Sequence, residues 1–210
     1  MKTEVGGQLR ADPLCRTRHK RFQNMQLRCE HDPSRMRWPT QDEARGALFR
    51  GNNDYMDLRG ATWDTARLVR AREGIVVEAW ERLGGWAARK EQLPMVEDFC
   101  RLAGGLDLGL VSAVYAIAAA GGVPLASCNG GAFGGRHLDR SPGLAFWWPV
   151  AALDPLMEAV EAAGLSTWMY NYGAITVGGD YIRRYFLFAD ALYKRRDRLP
   201  TATRSESDCM

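Results

Sequence analysis

The segment from residue 102 to residue 149 constrains the fold of this chain most. Charged residues make up 25% of the sequence, yet between Leu102 and Pro149 only Asp107, Arg136, Asp139 and Arg140 carry a formal charge. A stretch so poor in charge belongs in an interior. It opens with Gly105-Leu-Asp107 and continues through an apolar run, Leu108 to Ala120, of helical length. Gly121-Gly122 breaks that run, and Val123 to Ser127 reads as a short buried strand. The strand delivers Cys128 into Asn129-Gly130-Gly131. A second glycine pair, Gly134-Gly135, leads to Arg136-His137, and Leu144 to Trp148 reads as another strand. Helix, strand, glycine loop and strand place the unusual side chains at one strand end.

The flanking sequence extends this pattern. Residues 1–40 show no sustained period and carry prolines at 13, 33 and 39, which predicts a basic arm that is disordered until it meets a partner. Residues 41–103 read as a helical segment. Thr40 with Glu43 forms a capping-box pattern for a helix at 42–50, Thr62 opens a longer one, and Pro94 suits the first turn of a third. From 104 to 198 the order α-β-β-α-β-β-α predicts an α/β (α+β) domain, one compact sheet backed by helices. Asp107, Asp154 and Asp180 stand where N-caps are expected, with Gly164 as a helix stop. Residues 199–210 form a Ser/Thr-rich tail. Phe146 and Trp147, being adjacent in a strand, belong on opposite faces of the sheet.

Composition narrows the class. No apolar run is long enough to cross a bilayer, and Met1 to Gln8 lacks the apolar core of a secretory signal. A cytoplasmic protein without membrane contact is therefore expected. Five cysteines at irregular spacing argue against a disulfide scaffold. Cys15, His19, Cys29 and His31 are zinc-competent side chains, but Cys-x3-His followed by Cys-x-His fits no standard finger, and no metal is expected. The first 50 residues hold 11 Lys/Arg against 6 Asp/Glu, and Tyr181 to Arg198 holds 6 against 2. Two basic ends flanking an uncharged middle would suit an anionic partner. No Rossmann or Walker A pattern occurs, since the glycine loop leads into a strand rather than a helix.

Two sets of residues are candidates for chemistry. Cys128, at a strand end facing free N–H groups, is placed for thiolate character. His137 lies nine residues further on and could serve as its base, with Asp107 orienting the imidazole. The glycines of 129–135 allow backbone N–H groups to turn toward an anion, so Ser127, Asn129, Gly130, Gly131 and Arg136 are candidate ligand-binding residues. Each set also has a structural explanation: buried cysteines are common, and glycine relieves turn constraints.

The segment Gly105-Leu-Asp107, a helix, a strand and then Ser127-Cys128-Asn129-Gly130 resembles the central motif of the wybutosine-synthesis tRNA methyltransferase family. There an aspartate precedes a helix and a strand ends in Ser-Cys-Ser-Gly-Arg. The chain differs in having Leu125-Ala126 in place of threonines and Gly131 in place of the arginine. The resemblance implies an S-adenosylmethionine or RNA-related site around Ser127, Cys128, Asn129 and Gly130. The basic arm and Arg183-Arg184 would then contact phosphates. Three readings follow: a ligand or catalytic pocket directed at RNA or a nucleotide, a non-catalytic module that binds a protein partner, and a Cys/His-dependent hydrolase or transferase.

Overall fold

A computed structural model describes residues 58, 60–82, 93–133, 141–169 and 173–200. The expected arm, the helix at 42–50 and residues 201–210 of the expected tail lie outside them. Five helices are described: α1 (Trp63–Arg82), α2 (Leu93–Leu102), α3 (Val111–Ala119), α4 (Leu153–Ala163) and α5 (Ile182–Lys194). The strands are β1 (Val123–Cys128), β2 (Gly143–Trp147), β3 (Ser166–Met169) and β4 (Ile175–Gly178). They form one antiparallel sheet in the order β1-β2-β4-β3. The α+β architecture expected from the element order is present. No described helix is long and apolar enough to cross a membrane.

The sheet is two hairpin pairs joined at β2 and β4, with α4 crossing between them. β1 is an edge strand, where Pro124 removes no ladder bond from a central position. Its register with β2 shifts between Pro124 and Ala126, a local irregularity that discourages further pairing at this edge. Side-chain alternation divides the strands. Leu144, Phe146, Ile175 and Val177 face Leu156, Ile117, Tyr185, Phe188 and Trp80 from the helices in one continuous core. Trp147 points the other way and clusters with Val123, Leu125 and Ala174. Phe146 and Trp147 therefore occupy opposite faces, as alternation predicts, and both are buried.

Helix boundaries follow the sequence signals more closely than the caps do. Thr62 caps α1, its Oγ1 accepting from the Thr65 N–H at 3.2 Å. Gly164 closes α4 in the left-handed region. Asp154, in contrast, is the second residue of α4: a 3-10 turn, Val150–Ala152, lets the helix begin at Leu153. Asp180 precedes the cap position of α5, which Tyr181 occupies, and it pairs with Arg184 at 3.7 Å.

The largest departure concerns α3. Eight of its nine residues are buried, so its first N–H groups open into the core, where water cannot satisfy them. Asp107 does not cap them. The carboxylate of Glu73, fully buried on α1, does. Its Oε1 accepts from the N–H groups of Gly109 (2.7 Å) and Val111 (2.9 Å), and its Oε2 from Ser112 (2.8 Å). The Leu110 N–H turns back to the Asp107 carbonyl at 3.1 Å. A negative charge here also meets the positive end of the helix dipole. α1 thus presents Ala66, Glu73, Val77 and Trp80 inward, while Ile75 is 68% exposed.

Replacing Glu73 by Ala orphans three buried donors, each worth about 1–3 kcal/mol. Urea unfolding of Glu73→Ala should show a loss of at least about 3 kcal/mol, whereas Ile75→Ala should stay within about 0.5 kcal/mol of the parent. Equal effects would remove the trans-cap from its organising place.

Candidate functional site

β1 ends at Cys128, which pairs with Gly143; Gly143 pairs with Gly178, and Gly178 with Ser166. One row across the sheet therefore runs Cys128, Gly143, Gly178, Ser166. Ser127 and Cys128 are half-buried, and Cys128 is in no disulfide. Gly178 owes its lack of a side chain to Trp168, whose ring would stand 2.7 Å from a Cβ there.

Beyond Cys128, the loop is held to the turn that starts at Asp107. The Asn129 N–H donates to Asp107 Oδ2 at 3.2 Å. The Asn129 side chain is buried and bonds in two directions: Nδ2 to the Leu108 carbonyl at 3.1 Å, and Oδ1 from the Gly131 N–H at 3.0 Å. The Ala132 N–H donates to the Asn129 carbonyl at 3.2 Å. The structure brings Asp107 and Asn129 together, and the contact between them is a loop-to-loop staple. The N–H groups of Asn129, Gly131 and Ala132 already donate within the chain, so they do not form an open anion nest. Arg136 and His137 lie outside the described residues, as do Cys15, His19, Cys29 and His31.

Two glycines permit this closeness. Gly109, at φ 91°, lies where a Cβ would meet Ile182 at 2.5 Å and Phe133 at 3.0 Å. Gly130, at φ 64°, lies against the Ser141 and Pro142 backbone, 2.9 and 3.0 Å from a Cβ position. Phe133 ends the described loop edge-on to Trp80, with ring centroids 5.8 Å apart.

The electrostatics are dominated by burial. Burial pushes the Glu73 carboxyl above its ordinary 4.5, while Ser112 and the N–H groups of Val111 and Gly109 pull against that shift. The Ser112 hydroxyl lies near this carboxylate without the alignment of a hydrogen bond. Burial also raises the Tyr185 phenol, whose hydroxyl donates to the Pro142 carbonyl. The C-terminal arginines are engaged. Arg183 is bound by Glu81, and Arg184 donates to the Gly164 carbonyl. Arg195 and Arg198 share Glu158, at 3.1 and 2.8 Å, and their hydrogen bonds hold its carboxyl down to about 2. Among the described residues, no group of three or more His, Cys, Asp or Glu side chains could hold a metal ion.

A different concavity lies among α1, α3 and α5. It encloses about 180 Å³. Buried Ala66, Ala116 and Ala189 form its floor, with Trp63 and Tyr193 half-buried at its edge. Arg67 and Arg70 line it from α1 and Asp190 from α5. The sequence reading missed it, because small residues on three helices give no local signal of their adjacency. Comparison with family models, with curated proteins and with solved structures found no match.

Two outcomes are expected. Gly130→Ala combines a left-handed backbone with a backbone clash and should cost on the order of 1–3 kcal/mol, read as a lower urea midpoint; an unchanged midpoint would show that the 141–142 backbone yields. The second concerns pH. Because the folded state holds the Glu73 proton more tightly than the unfolded chain does, this group's contribution is full below 4.5. It declines as pH rises through the folded value. The midpoint of the parent relative to Glu73→Gln should fall across that window and level off above it. A flat difference would mean that the carboxyl titrates alike in both states.

Proposed function

We propose that this chain is a non-catalytic binding module whose ligand site is the groove between α1, α3 and α5. The observation that carries this reading is the difference in hydrogen-bond saturation between the two candidate sites. In the glycine loop, the N–H, Oδ1 and Nδ2 of Asn129 all engage the chain's own loops. In the groove, the exposed Arg67 guanidinium rests 5.0 Å from the Tyr193 ring centroid and, among the described residues, pairs with no carboxylate. Polar groups that hold a fold are turned onto one another; groups that await a ligand are left open. Concave sites with a few convergent polar groups in apolar walls are the usual small-ligand sites.

A second reading keeps the site at Cys128, directed at RNA or a nucleotide with S-adenosylmethionine as cofactor. It is favoured by the half-buried thiol at the end of β1, one hydrogen bond from the Asp107 turn. Its phosphate contacts would have to come from beyond Arg183 and Arg184, which already serve Glu81 and the Gly164 carbonyl.

A thermal-shift panel of small anions, nucleotides, S-adenosylmethionine and tRNA separates the two. A ligand at about 100 times its dissociation constant adds roughly 2.7 kcal/mol. The expected result is a stabilisation that disappears in Arg67→Ala and survives Cys128→Ser. A shift from S-adenosylmethionine or tRNA that survives Arg67→Ala and disappears in Cys128→Ser would transfer the function to the loop.

A further inference from the structure

Resting on the groove as the binding site, we infer that it takes a small planar monocarboxylate, such as an aromatic acid. Three observations set these limits. The first is charge. Arg67 and Arg70 contribute two positive charges, and Asp190, 3.2 Å from Arg70 Nη2, contributes one negative charge. The remaining charge is one, which a carboxylate neutralises and a phosphate dianion exceeds.

The second is the geometry of the donors. Arg70 is fixed on both sides: Asp190 holds one nitrogen of its fork, and the guanidinium carbon sits 4.3 Å from the Phe186 ring centroid. Its Nε is buried and has no acceptor. Enclosed to that degree, Nε is beyond the reach of an oxygen in the groove, so Arg70 gives the groove a fixed positive charge rather than a hydrogen bond. Among the described residues Arg67 is held by its ring contact alone, so it can swing onto a carboxylate in the groove.

The third is shape. The groove is smaller than the roughly 300–1,000 Å³ of drug-sized sites, which limits the ligand to about one ring with its acid group. Trp63 meets Tyr193 edge-on, with centroids 5.9 Å apart and planes at 74°. The guanidinium groups of Arg67 and Arg196 already lie over the Tyr193 ring, 5.0 and 4.5 Å from its centroid, so the aromatic wall offered to a flat guest is Trp63. The alanine floor at 66, 116 and 189 leaves a guest flat room without side-chain interference.

The test titrates the full chain with benzoate, followed by calorimetry and by chemical shifts. Benzamide removes the charge, cyclohexanecarboxylate removes the plane, and inorganic phosphate and AMP replace the carboxylate. Benzoate should bind saturably in the millimolar range expected of so small a ligand, with shifts in α1, α3 and α5. Arg67→Ala should weaken it about tenfold, the effect of one charge-assisted hydrogen bond. Ala71, exposed on α1, also lines the groove; Ala71→Leu fills its mouth and should abolish binding with the melting temperature unchanged. Benzamide or cyclohexanecarboxylate binding as tightly as benzoate would overturn the inference, as would absence of saturation. If phosphate or AMP binds instead and depends on Arg67, the carboxylate assignment falls while the groove remains the site. If nothing binds through Arg67, both fall.

Discussion

The structure depends on a carboxylate in its core. α3 is too apolar to reach the surface, and a buried helix brings its unsatisfied N–H groups into the core with it. No residue of its own supplies an acceptor, since Leu110 stands at its cap position. Glu73 answers three of those donors from another helix, 36 to 39 residues earlier. Desolvating a carboxylate is expensive, and here that cost is partly offset by three N–H bonds and the helix dipole. The interaction is also directional. It fixes the rotation of α1 about its axis and the height of α3 against it, so the two helices have one way to pack.

The same helix fixes the loops. About two turns beyond Glu73, Trp80 receives Phe133 from the end of the glycine loop. Glu73 holds the turn at 109–112, and Asn129 bridges from the loop to that turn through Leu108. The loop and turn are therefore held twice, once to each other and once to α1. Gly109 and Gly130 sit where these segments come closest to Ile182 and to the 141–142 backbone. In this arrangement the glycines are packing residues, and a conformational explanation is sufficient for them.

Much of this was legible in the chain. The charge-poor segment, the glycine breaks and the order of helices and strands were enough for the α+β architecture, because each is a local pattern with a period or a stop. The caps were less legible. Asp107 has the right residue type at the right distance from α3, and sequence proximity made it the natural candidate; a long-range acceptor won because the start of α3 is enclosed by α1. A signal for Glu73 did exist. It stands seven residues from both Ala66 and Trp80, on the buried stripe, while Ile75 is off that stripe. A glutamate in a helix's core register asks for a buried partner, and a later apolar helix without its own cap is a natural one. Whether Asp107 and Asn129 serve chemistry or structure depends on hydrogen bonds that only tertiary geometry defines.

The groove was illegible for a different reason. Its walls combine Ala66 with Arg70, Ser112 with Ala116, and Ala189 with Tyr193, each an ordinary spacing on one helix face. Meaning appears only when three helices converge, and their convergence follows from the trans-cap that sets α1 against α3. Asp190 then has an effect beyond its ion pair. By holding Nη2 of Arg70 it orients the guanidinium against Phe186, which leaves Nε enclosed without an acceptor. A part-buried pair at the rim of a groove contributes modest stability, so its main physical consequence is the direction in which Arg70 points. The buried carboxylate that organises the fold and the arginine that opens the groove lie one turn apart on α1, and the rotation fixed by the first determines where the second is displayed.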